Sequence, residues 1–250
     1  MKISIITAVL NNRRFLEESI LSVTSQSYKE IEFIIVDGGS TDGSIDIIKK
    51  HENQISGWIS EPDEGLYDAM NKGINMSSGD VIGFLNSDDI YNSNETIEKV
   101  MSVFTKTKSA SCYGDMVYVS PDLKKVIRYW KTGEYSEKLI NNGILLPHPG
   151  FFARKDLFDE NGIFNKKFRI SADYDLILRF MRSEDFSTVY IPEILVKMRT
   201  GGVSNKNLLN IFKANMECYN ILKENGLKYP SMKIIKKIFL KLIQRLKVGK

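Results

Sequence analysis

Within the first 90 residues, short apolar runs alternate with segments whose apolar residues recur at helical spacing. The apolar runs cover residues 3–10, 31–36, 55–59 and 80–85. Between the first two, Phe15, Leu16, Ser19, Ile20 and Val23 lie on one helical face. Ser40-Thr41-Asp42 then offers N-cap chemistry ahead of Ile45, Ile47 and Ile48. Leu66, Met70 and Ile74 carry a third helix over 65–76. Strands alternating with helices predict an α/β fold, a mostly parallel central sheet flanked by helices.

Beyond residue 90 the spacing predicts a helix over 96–104, strands over 111–119 and 126–130, and a loop over 143–149. A short strand over 150–153, a helix over 173–181 and a strand over 188–191 follow. Gly201-Gly202 breaks the pattern, and 208–225 and 232–248 again have helical spacing. The expected division is a domain over 1–204 and a helical C-terminal extension over 205–250. No internal repeat or low-complexity linker interrupts it.

The chain's 250 residues suffice for one large domain with ample core. Its formal charge of +4 is unevenly spread. Residues 231–250 hold seven bases and no acid, which leaves the first 230 residues at −3. That body is not the basic surface of a nucleic-acid binder. Cys112 and Cys218 are too few and too far apart for a disulfide framework or a zinc site. The start, Lys2-Ile3-Ser4-Ile5-Ile6, has the pattern of a strand rather than a signal peptide, so a cytoplasmic location is expected. No apolar run approaches the roughly 20 residues of a bilayer span.

Three acidic clusters carry the chemistry. Asp37-Gly38-Gly39-Ser40-Thr41-Asp42 closes one apolar run and Asn86-Ser87-Asp88-Asp89 another; Asp173 stands in Ser171-Ala172-Asp173-Tyr174-Asp175. Acids at the carboxyl ends of strands point into the crevice where open α/β sheets bind ligands. Clustered there, they suit a hard divalent cation and a phosphate-bearing substrate. Each also has a plain structural explanation: a helix-capping turn, an exposed polar turn, and an acid favoured by a helix dipole. Trp58, Tyr67, Tyr91 and Trp130 serve equally as core, rim or stacking platforms, and none is assigned a role.

In order and type these clusters resemble those of family 2 glycosyltransferases with the GT-A (Rossmann-like) fold, over residues 2–204. The matching segments include Ser4-Ile5-Ile6-Thr7 with Asn11, the two strand-end clusters and Ala172-Asp173. The segment from Glu61-Pro62-Asp63-Glu64-Gly65 through Asp68-Ala69-Met70-Asn71-Lys72-Gly73 is similar to the bacterial subgroup that builds O-antigen, capsule and exopolysaccharide. His148-Pro149-Gly150-Phe151-Phe152 and Gly201-Gly202-Val203-Ser204 resemble the same subgroup.

The resemblance implies an inverting hexosyltransferase that uses a UDP-sugar donor and a lipid-linked or oligosaccharide acceptor. It implies Asp173 as general base and Asp37 as the uracil contact. Thr7, Val9, Asn11, Gly39, Asp63, Asp68, Lys72, Asn86, Ser87, Asp88 and His148 are the implied nucleotide-sugar contacts. Asp88 and Asp89 are the implied ligands of Mn²⁺ or Mg²⁺. The family's first D-x-D aspartate is Asn86 here, a carbonyl oxygen without the charge.

Two other readings stand beside this one. A nucleotidyltransferase needs a glycine-rich loop after the first strand, where this chain has Ala8-Val9-Leu10-Asn11-Asn12-Arg13-Arg14. A non-catalytic sugar-nucleotide scaffold would not need Asp88, Asp89 and Asp173 together. In the tail, Ile234, Ile235, Ile238, Phe239, Leu242, Ile243 and Leu246 share one helical face. With its bases this predicts a helix lying on the inner face of the plasma membrane, against the alternative of a helix docked on the body.

Overall fold

The computed structural model describes residues 1–201 and 208–246. Its first half alternates as expected: β1 (Ile3–Val9), α1 (Arg13–Thr24), β2 (Ile31–Asp37), α2 (Ser44–Lys50), β3 (Gly57–Ser60), α3 (Leu66–Met76) and β4 (Val81–Phe84). These four strands pair in parallel, in the order β3-β2-β1-β4. Each link between them carries a helix, the crossover that parallel pairing requires.

The second half is β5 (Ile90–Tyr91), α4 (Thr96–Lys106), β6 (Ser111–Val119), β7 (Val126–Trp130), α5 (Lys138–Asn141), β8 (Phe151–Arg154), α6 (Lys155–Asn161), α7 (Ala172–Met181) and β9 (Thr188–Arg199). Here the sheet becomes mixed. β8 runs antiparallel to both β4 and β6, whereas β9 runs parallel to β6. The full order is β3-β2-β1-β4-β8-β6-β9-β5, with β7 on β6.

Side chains alternate between two cores, one on each face of the sheet, following the two-residue period of a strand. From β1, Ile6 and Ala8 enter one core and Ile3, Ile5 and Val9 the other. From β2, Ile34 and Val36 oppose Phe33 and Ile35 in the same way. α3 packs so closely on β1 that a Cβ on Gly73 would meet Ile6 Cγ2 at 2.3 Å.

Three local expectations change. The N-cap position of α2 is Gly43, at φ 93°, and Asp42 Oδ1 instead accepts from Ser44 N (2.9 Å) in an Asx turn. The predicted loop over 143–149 contains a 3₁₀ turn at His148–Gly150. The strand expected over 188–191 continues to Arg199, because Pro192 sits where the register with β6 jumps from Ile191 to Ile194. Pro, which lacks a ladder donor, is tolerated at such a bulge.

α8 (Leu208–Glu224) and α9 (Pro230–Leu246) follow. α8 inserts Cys218, Ile221 and Leu222 into the core shared by α3 and α7. α9 packs on α8 and β7, and Arg128 Nε on β7 donates to Gln244 Oε1 at 2.8 Å. Among the described residues no helix is long and apolar enough to cross a membrane. The Gly202-Val203-Ser204 motif, most of the expected domain boundary and the end of the last predicted helix lie outside the described residues.

Candidate active site

The carboxyl ends of β1, β2 and β4 meet at one edge of the parallel half-sheet. Asp37 closes β2 and is fully buried. Its Oδ2 accepts from Gly39 N (3.0 Å), Ser40 N (2.9 Å) and Ser60 Oγ (2.7 Å). Its Oδ1 is buried with no hydrogen-bond partner. An unpaired buried acceptor costs about 1–3 kcal/mol. Gly39, at φ 86°, supplies the left-handed turn that brings its N–H back to Asp37. Across the turn, Asn11 Oδ1 accepts from Thr41 N (2.9 Å), and Asp63 lies so close that a Cβ on Gly38 would meet Asp63 Oδ2 at 2.2 Å.

The turn after β4 divides its acids. Asp89 is 1% exposed; its Oδ1 accepts from Arg199 N (3.0 Å) and its Oδ2 from Asn86 Nδ2 (2.7 Å). Burial, then the neighbouring charge of Asp88, holds its carboxyl well above the ordinary range. Asp89 is therefore turned inward, each of its oxygens accepting a hydrogen bond inside the protein. Asn86 is likewise committed to Asp89. Asp88 stays partly exposed, its carboxyl raised chiefly by burial and opposed by the Arg199 charge.

Other expected contacts are also tied into the surrounding framework. Thr7 is fully buried and donates from Oγ1 to Leu85 O at 2.8 Å, tying β1 to the end of β4. Val9 is buried, and its carbonyl accepts from Gly38 N. Ser87 Oγ accepts from Asn12 Nδ2 at 2.8 Å. His148 packs its ring between Phe84 and Phe164, with centroids 5.1 and 5.5 Å away. Burial holds its pKa below the ordinary value, and its Nε2 is buried without a partner. His148 thus sits against two aromatic rings of the core.

Asp173 opens α7. Its Oδ1 lies 3.0 Å from the Tyr67 hydroxyl of α3, which is also 2.9 Å from Ile170 O. Burial first, then the Asp173 charge, pushes the Tyr67 hydroxyl up. On the other side, the Tyr118 hydroxyl is raised chiefly by burial, with Arg128 opposing and the charges of Asp89 and Asp173 adding to it. The charges of the second and third acidic clusters thus both act on one phenol although 84 residues separate Asp89 from Asp173.

Asp68 and Lys72 close the rim. Asp68 Oδ1 accepts from Lys166 Nζ (2.8 Å), its Oδ2 accepts from Glu64 N (3.2 Å), and Lys72 Nζ pairs with Glu61 (2.7 Å) and lies 3.6 Å from Asp68. Arg169 Nη1 donates to Glu64 O. The segment 61–65 is thereby strapped to the loop before α7.

Four supporting residues had no signal in the sequence. Arg199, 3% exposed, donates to Pro121 O (3.0 Å), Asp88 O (2.5 Å) and Glu18, and stacks 4.7 Å over Phe15. It lies beyond the point where the strand appeared to stop at Pro192. Glu217 of α8 accepts from the N–H groups of Arg169, Ile170 and Ser171 at 2.8–3.0 Å, just ahead of Asp173. Tyr67 and Lys166 acquire their roles only from partners about 100 residues away.

The sequence model "Glycosyl transferase family 2" matches residues 4–165. A PGL/p-HBAD biosynthesis glycosyltransferase of Mycobacterium bovis (strain BCG / Pasteur 1173P2) is 28% identical over 207 residues, 81% of this chain and 78% of that protein. Among solved structures, S. aureus TarS 1-349 in complex with UDP-GlcNAc superposes with a TM-score of 0.65 at 16% identity, over 93% of this chain and 69% of that one. The mannosyltransferase PcManGT from Pyrobaculum calidifontis, in complex with GDP-Man and Mn²⁺, gives 0.66 at 12% identity, over 96% and 69%. The mixed sheet with flanking helices is thus the fold of GT-A glycosyltransferases. With most of the parallel half-sheet and its acidic turns inside the matched region, this chain belongs to glycosyltransferase family 2.

Proposed function

We propose that the chain is an inverting enzyme that moves a hexose or N-acetylhexosamine from a UDP-sugar to a hydroxyl of a polyprenyl-diphosphate-linked glycan. The setting is surface-polysaccharide synthesis, such as O-antigen or capsule, at the inner face of the plasma membrane. The observation that carries this reading is the split state of Asp37, three donors on Oδ2 and none on the buried Oδ1. A base N–H is the donor Oδ1 lacks. The structural neighbours with UDP-GlcNAc and GDP-Man support a nucleotide-sugar here.

In this reading the acceptor hydroxyl attacks the anomeric carbon on the face opposite UDP. The new C–O bond forms as the bond to the diphosphate oxygen breaks, UDP leaves with the electron pair, and Asp173 takes the hydroxyl proton. Single displacement inverts the centre. Tyr67 keeps the Asp173 carboxylate in place, and the strap over 61–65 orients the donor.

Among the described residues no group of three or more His, Cys, Asp or Glu side chains forms a metal cage. Asp88 nevertheless fits Mg²⁺, or Mn²⁺ in its place, because Mg²⁺ is commonly held by one or two carboxylates together with substrate phosphates. Bound there, the ion would supply positive charge to the departing diphosphate.

Calorimetric titration with UDP and with GDP, each with and without Mn²⁺, tests the donor. Metal-dependent UDP binding is expected; preference for GDP overturns the role given to Asp37. Asp173→Asn is expected to lower transfer by at least about a thousandfold while UDP affinity stays within about twofold. Joint loss of both, in a folded sample, removes Asp173 from the role of base.

A further inference from the structure

α8 and α9 each keep an apolar stripe turned away from the body. On α8, Glu217, Cys218 and Ile221 face the body, while Leu209, Phe212 and Met216 recur at i, i+3, i+7 on the opposite side. On α9 the body side carries bases alongside Ile234, which packs against the core. Lys233 Nζ donates to Asn141 O, Lys236 Nζ to Asn142 Oδ1 (2.7 Å), and Lys237 lies 4.6 Å over the Tyr174 ring. Its outer side carries Met232, Ile235 and Phe239, again at i, i+3, i+7, with Ile238 beside them.

The two stripes stand well into solvent: Leu209 is 70% exposed, Phe212 64%, Ile235 67% and Phe239 62%. A docked amphipathic helix ordinarily presents a polar face to solvent, not a further apolar stripe. The two helices pack on each other, so their stripes belong to one hairpin, with Tyr229, 72% exposed, at its turn. Exposed apolar surface of this kind marks an interaction site.

Charge identifies the occupant. Residues 208–246 hold eight bases (Lys213, Lys223, Lys228, Lys233, Lys236, Lys237, Lys241 and Arg245) and two acids. Both acids are spent on the body: Glu217 on the backbone before α7, and Glu224 on Lys167 at 2.7 Å. Among the described residues no salt bridge neutralises Lys233, Lys236 or Lys237. Lys213, Lys223, Lys228 and Lys236 are exposed beside the stripes, so a second copy of this face would set cations against cations. Apolar side chains projecting from a cationic, acid-poor hairpin match an anionic bilayer surface.

We propose that the outer face of the α8–α9 hairpin is a docking surface for anionic lipid, inserting Leu209, Phe212, Met232, Ile235 and Phe239 at the interface. This deepens the membrane-side reading above and rests on it for the identity of the acceptor, although lipid binding itself is independent of the donor. The same α8 holds the backbone next to Asp173 through Glu217, so the docked hairpin sets the catalytic edge near the bilayer.

Flotation of the full chain with phosphatidylcholine vesicles, with and without phosphatidylglycerol, tests the surface. Binding is expected on the phosphatidylglycerol vesicles and at least about tenfold weaker for Phe212→Ser/Phe239→Ser. Both side chains are exposed, so the thermal midpoint of the variant should match that of the parent chain. Absence of binding, or equal binding by the double variant, overturns the proposal. So does a dimer in light scattering that the double variant dissolves, which would assign the face to a second copy. Calorimetry with UDP on the same samples reads the donor separately, so either proposal can fail alone.

Discussion

The Tyr67 hydroxyl sits between Ile170 O and Asp173 Oδ1, at 2.9 and 3.0 Å. One phenol thus ties α3, which also carries Asp68 and Lys72, to the residue that opens α7. A carboxylate held this way is pre-positioned, and small misplacements of a catalytic group are costly. Tyr67→Phe keeps the ring that packs 5.2 Å from Phe164 and removes only the oxygen. Steady-state kinetics should show kcat down about tenfold with donor KM within about twofold. Unchanged kcat would make the contact incidental. Asp37 and Asp88 stood out by residue type and position after apolar runs, and Asp173 through the resemblance of Ala172-Asp173. Tyr67 was not, because its hydroxyl acquires a function only from a partner 106 residues away.

At the level of elements, Glu32 on β2 shows how the parallel half-sheet is closed. It accepts from Ser4 Oγ (2.5 Å), Ser78 N (2.7 Å), Ser78 Oγ (2.5 Å) and Lys2 Nζ (3.2 Å), joining β1, β2 and the turn before β4. Burial alone would raise its carboxyl, but these donors prevail and lower it to about 2. A carboxyl that titrates lower in the folded chain stabilises above its unfolded value of 4.5, and that stability is lost as pH falls towards about 2. Glu32→Gln should therefore cost about 1–2 kcal/mol at pH 7 in denaturant melts. The deficit should shrink between pH 4.5 and 2; a pH-independent deficit would assign the effect to packing. The existence of the first seven elements followed from periodicity. The bulge that lets β9 pass Pro192 did not, because a skipped register is a property of two strands and not of one.

For the whole molecule, the decisive contact is α8 in the core. Cys218, Ile221 and Leu222 are at most 1% exposed, and each large aliphatic side chain so buried is worth about 1.5–3 kcal/mol. A chain ending at Gly201 should lose roughly 3–6 kcal/mol from Ile221 and Leu222 alone and bind an apolar dye. An unchanged thermal midpoint would show that the extension is a separate unit. The sequence by itself determined the α/β class, the run of four parallel strands and the acids at their ends, because strand and helix periods and turn chemistry are local. Only the tertiary structure decided which of those acids face the crevice. Asp89 and Asp88 are neighbours of one type, yet Arg199 and Asn86 draw the first inward and leave the second at the edge. It also decided that α9 turns Lys233, Ile234 and Lys237 to the body and Ile235 and Phe239 outward. Helical spacing identifies two faces, but which one is covered depends on what the rest of the chain brings against it.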